Sequence, residues 1–330
     1  MNWNDLLREY TPEQTTAKTD CALTALTSLG LIRVQGEDAR DFLQGQLTND
    51  IQAVTTKQAQ LSAWCTPKGR MLALMLVFQQ GDDLYLQLPR ERIEAVLKRL
   101  RMFVMRSRVT LSDTSDELPI MALGGDCIAE LLNDVPEDNF ASRQSAGFSV
   151  IRFPGKQPLV QVVGKADALA AVWEKAAMTA TPVSDSWWRL QNIRSGTPTI
   201  YDATAEAFIP QMLNLDLLGG ISFNKGCYTG QEVVARMKYL GQIKRRMYLA
   251  SFVAAKEPAP GDKLFSAHSK SAQGAGKIVD VQPSPAGGWE ALVAAETSSV
   301  EAGDMRLGDA EGAVLEIQPP PYGLQATDSD

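Results

Sequence analysis

The segment Ile221–Arg236, ISFNKGCYTGQEVVAR, brings together the residues of this chain that are most suited to chemistry. Its first three residues alternate as a strand would, and the Asn-Lys-Gly that follows predicts a turn. Thr229 and Glu232 have the spacing of a helix capping box, directly before a run of apolar residues. The pattern therefore predicts a helix that begins at Gly230, with Cys227 just before its first turn.

Cys227 would gain reactivity from that position. A helix N-terminus presents unpaired backbone N–H groups and a partial positive charge, and Lys225 and Arg236 add cations nearby in sequence. Each feature favours the thiolate, the form of cysteine that attacks electrophiles and binds metals. Gly226 and Gly230 would let a ligand approach the backbone closely. The other interpretation is a buried cysteine in a strand-to-helix turn, where the glycines serve only the backbone geometry.

The remaining cysteines and the single histidine narrow the chemistry further. Cys21, Cys65 and Cys127 form no C-x-x-C pair, so the sequence predicts free thiols, with Cys65 and Cys127 as small core residues. The one histidine, His268, lies in a loop-like stretch where we expect it to be solvated. A Cys/His zinc site, a paired-His metal site and a Ser-His-Asp relay are therefore not expected, and no metal site is predicted.

Two adjacent tryptophans, Trp187 and Trp188, form a second candidate feature within a predicted helix. Consecutive helical residues face different directions, so the two indoles cannot enter one core stripe together. One of them could line a cavity and stack on a planar heterocycle. The other interpretation places one indole in the core and the other at a domain interface.

The predicted strands and helices that position these residues occur twice along the chain in the order β-α-β-β-α. Periodicity predicts strands and helices over 20–115, with a hairpin at Pro67-Lys68-Gly69, and again over 116–245, with a helix at Asp126–Val135. Two such runs are typical of tandem ferredoxin-like units, so the predicted fold class is α+β. Over 246–325 short alternating stretches replace helical periods and predict a small β-barrel or sandwich.

Composition and charge exclude several classes of protein. The 330 residues carry a net charge of -7, and the longest apolar run, Met71–Phe78, is far shorter than the roughly 20 residues that cross a bilayer. The N-terminal residues lack the apolar segment of a signal peptide, so we expect a cytoplasmic protein. The acidic total disfavours a general nucleic-acid binder. Two segments nevertheless hold five basic residues each and no acid, Lys98–Arg108 and Arg236–Arg246. Each is interpreted either as a solvated surface or as a local anion-binding site.

Several motifs together resemble one known family. KGCYTGQE at Lys225–Glu232, preceded by FIPQMLNLDLLGGISF at Phe208–Phe223, is similar to the signature of the YgfZ-type folate-binding proteins. GEDARDFLQGQLTNDI at Gly36–Ile51 and TPKGRMLALMLVF at Thr66–Phe78 also match, and the likeness covers roughly residues 25–320. This family is related to the glycine-cleavage T-protein, an aminomethyltransferase.

The resemblance implies a GcvT-like fold built as a ring. Two interleaved α+β domains, over 20–115 and 116–245, and a C-terminal β-barrel over 246–325 would surround a channel that binds tetrahydrofolate or a derivative. By the same resemblance, Cys227 is the family's essential cysteine, and Trp188 is the aromatic residue placed against the folate. Leu29 stands where the family has a second tryptophan. The anionic folate tail would favour basic neighbours, either Arg236 or Lys244–Arg246. The other motif residues implied in the site are Lys225, Gly226, Tyr228, Gly230, Gln231 and Glu232.

The implied function is the assembly or repair of iron–sulfur clusters in client enzymes, including enzymes that thiomethylate tRNA. The expected partners are folate and those client proteins, without direct nucleic-acid or membrane binding, and the expected state is a monomer. A one-carbon transferase is the first alternative. Ala73 and Leu74 stand where aminomethyltransferases carry an Asp-Asp pair, and apolar side chains cannot polarise an amine or stabilise an iminium ion. An RNA-binding module that uses the two basic runs is the second alternative.

Overall fold

The computed structural model describes residues 3–9, 20–145, 147–239, 241, 243–272 and 274–324. The chain divides into two compact units, each built from three separate segments. The first unit contains Met1–Gln44, Asp50–Leu61 and Met75–Arg189, and the second contains Gly45–Asn49, Ser62–Leu74 and Leu190–Asp330. These limits do not coincide with the predicted boundaries after residues 115 and 245, and the three-domain division stays a prediction.

The helices of the described residues are mostly short. They are α1 (Trp3–Glu9), α2 (Ala39–Gln46), α3 (Arg90–Arg101), α4 (Ile128–Leu131), α5 (Ala166–Ala176), α6 (Asp185–Ser195), α7 (Gln231–Tyr239) and α8 (Thr297–Ala302). Helix α3 forms because its apolar residues recur at helical spacing, and it buries Ile93, Val96, Leu97 and Leu100 on one face. The helix predicted over Asp126–Val135 is reduced to the single turn of α4.

The strands account for most of the remaining regular structure. They are β1 (Cys21–Ala25), β2 (Leu29–Gln35), β3 (Gln60–Cys65), β4 (Met71–Gln80), β5 (Asp83–Pro89), β6 (Thr110–Asp113), β7 (Ile120–Gly125), β8 (Ser142–Ser145), β9 (Phe148–Arg152), β10 (Leu159–Gly164), β11 (Thr181–Pro182), β12 (Arg245–Phe252), β13 (Lys263–Phe265), β14 (Gly276–Pro283), β15 (Trp289–Glu296), β16 (Arg306–Leu307) and β17 (Glu316–Gln318).

These strands form three sheets. A six-stranded sheet has the order β11-β1-β7-β10-β9-β8, and a five-stranded sheet has the order β3-β4-β5-β2-β6. Helix α5 covers the sheet that contains β1 and β7, because Leu169, Ala170 and Trp173 face a core that contains Leu23 and Met121. The mixed α+β class is therefore confirmed. The predicted strand at Ile221–Phe223 is wrong, since that segment is irregular.

The C-terminal part of the chain is rich in strands, as its alternating pattern predicts. A six-stranded sheet of order β16-β13-β14-β15-β12-β17 curls into a half-barrel. Strands β12, β14 and β15 pair antiparallel along nearly their whole length. A closed barrel and a ring of domains stay predictions.

A disulfide joins Cys21 and Cys127, so the prediction of four free thiols is wrong for these two residues. Strand β1 pairs antiparallel with β7, and Cys21 lies opposite Gly125. Cys127, two residues beyond Gly125, therefore comes within 5.8 Å of Cys21 between Cα atoms, a separation that suits a disulfide. Sequence spacing gave no signal of this pairing, because it depends on the register of two distant strands.

Among the helices of the described residues, none has both the length and the apolar character that crossing a bilayer requires.

Candidate functional site

The Cys227 side chain is exposed, on an irregular loop that precedes α7. Helix α7 begins at Gln231, one residue after the predicted start, and the loop approaches it through Gly230. The interpretation of Cys227 as a buried turn residue is therefore wrong, and its sulfur is accessible to solvent. Placement of the thiol just before a helix agrees with the sequence prediction.

Lys225 fixes the N-terminal side of this loop. Its Nζ donates hydrogen bonds to the carbonyl oxygens of Leu47, at 2.7 Å, and Asn49, at 2.8 Å. The same ammonium lies 5.2 Å from the centre of the Tyr228 ring, within the range of a cation–π contact. Lys225, which the sequence analysis predicts to favour the Cys227 thiolate, thus donates hydrogen bonds to two carbonyls. Its effect on the thiol stays a prediction.

The chain that leads into the loop is held by the same Leu47–Asn49 segment. Thr48 Oγ1 donates to the Gly220 carbonyl at 2.7 Å, and Asn49 Nδ2 donates to the Gly219 carbonyl at 2.7 Å. The Ser222 backbone N–H donates in turn to the Thr48 carbonyl at 3.0 Å. Sequence reasoning did not identify Thr48 or Asn49 as part of the site, and their only signal was the family match of the surrounding motif.

A β-hairpin fixes the other side of the loop. Thr66 and Arg70 close the hairpin between β3 and β4, with the Thr66 N–H donating to the Arg70 carbonyl at 2.8 Å. Gly230 has φ +86°, and a Cβ there would lie 2.5 Å from the Thr66 carbonyl oxygen. Gly69 has φ +69°, and its Cβ would lie 2.9 Å from Cβ of Val233. Glycine at both positions is what lets the hairpin pack closely against the loop and against α7.

Gly230→Ala is expected to destabilise the protein by about 1–3 kcal/mol, because it combines a left-handed φ with a clash against backbone. Chemical denaturation followed by circular dichroism measures this change. Gly226→Ala is the matched control, since a Cβ there meets nothing within 4 Å. Gly219→Ala measures the cost of the left-handed backbone alone, since Gly219 has φ +66° and a Cβ there also meets nothing within 4 Å. Equal losses of stability in the Gly230 and Gly226 variants would contradict the close packing of loop and hairpin.

Cys65, the other cysteine of the described residues that is not in a disulfide, packs beside this loop but differs from Cys227 in environment. It is 1% exposed, and a Cβ on Gly230 would lie 3.2 Å from Cβ of Cys65. Burial raises the pKa of the Cys65 thiol to about 12. Burial also raises the pKa of the Tyr228 hydroxyl, with a smaller contribution from a charge on Cys65. Both groups therefore stay protonated at neutral pH.

Under non-reducing conditions at mildly alkaline pH, a small thiol reagent is expected to modify Cys227 in the folded protein and to leave Cys65 unmodified. The reason is that Cys227 is exposed, whereas the buried Cys65 keeps its proton until the pH approaches about 12. Peptide mapping by mass spectrometry after alkylation measures both sites. Denaturant should add modification at Cys65. Rapid modification of Cys65 in the folded protein would contradict the buried position of its thiol.

Trp188, the predicted folate contact, lies in the core. Its side chain is 2% exposed, and its ring packs edge-on against Phe153 with centroids 4.8 Å apart. The neighbouring Trp187 is half-buried, and its ring packs directly over Gly124, which has no room for a Cβ. Leu29 is half-buried at the start of β2, where it lines a cavity of about 170 Å³ together with Trp3 and other residues of the first unit.

The remaining predicted site residues lie around the loop or on α7. Glu232 and Arg236 are exposed on α7, and Gln231 is partly exposed. Arg236 has no hydrogen-bond or ion-pair partner among the described residues, so its charge is available to a ligand. Within the described ranges, no group of three or more His, Cys, Asp or Glu side chains is placed to hold a metal ion.

The two positions that the sequence analysis matched to the Asp-Asp pair of aminomethyltransferases lie on β4. Ala73 is 1% exposed and Leu74 is 5% exposed. Both side chains are apolar and buried, so neither position offers a carboxylate to a reacting amine.

Comparison with known proteins shows a consistent likeness. The sequence profile of the GCVT N-terminal domain matches residues 4–154. The chain is 34% identical over 230 residues to the tRNA-modifying protein YgfZ of Colwellia psychrerythraea, covering 68% of this chain and 70% of that protein. It is 30% identical over 306 residues to the tRNA-modifying protein YgfZ of Yersinia pseudotuberculosis serotype O:1b, covering 92% of each.

A solved structure supports the fold. The glycine cleavage system aminomethyltransferase T from Bartonella henselae aligns with a TM-score of 0.66 over 93% of this chain and 87% of that protein. The aligned sequences are 14% identical, so this likeness concerns the fold alone.

Proposed function

The chain belongs to the family of the tRNA-modifying YgfZ proteins, and from that membership we propose that it serves tRNA modification in the cytoplasm. It does so as a monomer, through the assembly or repair of iron–sulfur clusters in client enzymes that thiomethylate tRNA. The names of the curated relatives support the link to tRNA modification. The match of KGCYTGQE to the family signature supports the link to iron–sulfur enzymes.

The observation that carries the proposal is the exposed sulfur of Cys227 on a loop held on both sides. Lys225 is bonded to two carbonyls on one side, and Gly230 packs against the Thr66 hairpin on the other. A client protein can reach such a thiol without unfolding the loop. A single thiolate cannot enclose an iron–sulfur cluster, so any ligation by Cys227 is shared with the client. Disulfide exchange and reaction with a folate adduct need the same accessible sulfur.

Tetrahydrofolate or a derivative is the cofactor in this proposal, supported by the GCVT domain match and the fold. Arg236 fits an anionic ligand, since its guanidinium is exposed and has no partner among the described residues. Trp188 does not fit a stacked pterin as it stands, because its ring is 2% exposed and packs against Phe153. Stacking there requires that the present neighbours withdraw, and no chemical step is assigned to the folate.

The experiment compares tRNA from cells that lack the gene with tRNA from the same cells that carry the wild-type chain on a plasmid. Thiomethylated nucleosides are measured by liquid chromatography and mass spectrometry. The proposal expects a marked deficit that the wild-type chain corrects. Unchanged thiomethylation in the deletion cells would overturn it. A parallel calorimetric titration with tetrahydrofolate tests the cofactor separately.

A one-carbon transferase is the alternative that the buried Ala73 and Leu74 disfavour. Incubation with tetrahydrofolate and an aminomethylated carrier protein should yield no methylene-tetrahydrofolate. Clear turnover would place the chain among the transferases instead.

A further inference from the structure

The turn after α3 exposes an unusual number of large apolar side chains. Met102 is 66% exposed, Phe103 is 41% exposed and Met105 is 88% exposed. Four other large apolar side chains of the described residues are similarly exposed, and they are scattered singly along the chain. We call Lys98–Arg108 the α3 knuckle. A concentration of exposed apolar side chains in one turn is typical of an interaction surface, whereas single exposed ones need no explanation.

The backbone of the α3 knuckle is held in place. The N–H groups of Met102, Phe103 and Val104 each bond to a carbonyl three residues earlier, and the Ser107 N–H bonds to the Val104 carbonyl at 2.8 Å. The Arg108 N–H donates to Asp38 Oδ2 at 2.7 Å. Met105 has a left-handed φ of 44°, which costs energy for a residue with a side chain. The fold thus holds these side chains at the surface.

Cations surround this apolar centre. The α3 knuckle contains five basic residues and no acid. Lys98 and Arg106 are exposed and have no hydrogen-bond or ion-pair partner within the described ranges. Arg101 donates to the Leu111 carbonyl at 2.7 Å, and Arg108 pairs with Glu37 and Asp38. Two positive charges are therefore available at the rim.

We propose that the α3 knuckle docks an amphipathic helix of a partner protein whose apolar side chains are flanked by Asp or Glu. Methionine side chains adapt to varied apolar partners, and Met, Phe and Arg are enriched in protein interfaces. The two free cations match an acidic rim. RNA binding depends on many neutralised phosphates, which the net charge of -7 of this chain disfavours. The α3 knuckle shares no residue with the Cys227 loop, so the proposal does not rest on the thiol chemistry.

The test uses fluorescein-labelled helical peptides of about five turns, roughly 18 residues. One carries a leucine stripe flanked by glutamate, the second has lysine in place of glutamate, and the third has serine in place of leucine. Fluorescence anisotropy gives the affinity of the full chain for each.

The apolar variant is Met102→Ser/Met105→Ser, with Met178→Ser as its control, because Met178 is 77% exposed elsewhere in the first unit. The charge variant is Lys98→Glu/Arg106→Glu, with Lys156→Glu/Lys165→Glu as its control, because both lysines are exposed.

The wild-type chain is expected to bind the glutamate-flanked peptide about tenfold more tightly than either of the other two. The apolar variant should weaken this binding by about tenfold, and the charge variant should weaken it and improve binding of the lysine-flanked peptide. The controls should match the wild type, with unchanged thermal melting in all variants. Equal binding of the three peptides, or no effect of the knuckle variants, would overturn the proposal. So would knuckle-dependent binding of tRNA or anionic vesicles, or knuckle-dependent self-association, in place of peptide binding.

Discussion

A chain that carries Cys227→Ser is expected to fold as the wild type does and to fail in tRNA thiomethylation. The side chain is exposed and the loop is held by contacts of Lys225 and Gly230, so loss of the sulfur should leave the packing intact. Serine has the shape of cysteine but does not ionise at physiological pH and is a poor metal ligand. Thiomethylated nucleosides should fall to the level of cells that lack the gene. Mass spectrometry of digested tRNA measures this, and thermal melting checks the fold.

Cys65→Ala is the matched control for that variant. Its thiol is 1% exposed and protonated at neutral pH, so the proposed chemistry does not use it. We expect the Cys65 variant to lose some stability and, while folded, to keep normal thiomethylation. Full function in the Cys227 variant would remove the thiol from the mechanism. Loss of function in both variants at equal stability would mean that the two thiols act together.

Trp188→Ala is expected to lower the free energy of unfolding by about 3–5 kcal/mol, the usual cost of removing a buried aromatic side chain. Trp188 is 2% exposed and makes an edge-on contact with Phe153, which packs in turn against Phe140. Deletion of the indole leaves a cavity that these rings cannot fill. Guanidinium denaturation followed by circular dichroism measures the change.

Trp187→Ala, the same substitution one residue earlier on α6, is the control. Trp187 is half-buried, so its variant should lose clearly less stability than the Trp188 variant. The folate titration adds a second readout. A Trp188 variant with wild-type stability and reduced folate affinity would contradict placement of this indole in the core, and would favour direct stacking on the cofactor.

Local patterns predict much of the fold. The hairpin at Pro67-Lys68-Gly69 forms because the turn residues supply the backbone geometry, including a positive φ at Gly69. Helices α3 and α5 follow their apolar periodicity closely, since the burial of one face reinforces the local preference. The position of Cys227 just before α7 was also predictable, because the capping pattern marks a helix start within one residue. Its exposure was not, since the same pattern also suits a buried turn residue.

Long-range contacts account for what the sequence did not reveal. The disulfide between Cys21 and Cys127 spans 106 residues and depends on strand register. The bond from Lys225 to the Leu47 carbonyl spans 178 residues, and a carbonyl acceptor carries no side-chain signal. The strand expected at Ile221–Phe223 is absent because this segment bonds to Thr48 as an irregular chain. The core position of Trp188 likewise depends on Phe153, a residue of a distant segment.

The most direct test of the central claim is chemical and leaves the sequence unchanged. The wild-type chain is alkylated with iodoacetamide under non-denaturing conditions, and mass spectrometry confirms one adduct, at Cys227. Treated and untreated chains are then added to an extract of cells that lack the gene, and thiomethylation of added tRNA is measured. The untreated chain is expected to restore thiomethylation and the alkylated chain to leave it at background. Equal restoration by the alkylated chain would contradict the role of an accessible Cys227 thiol.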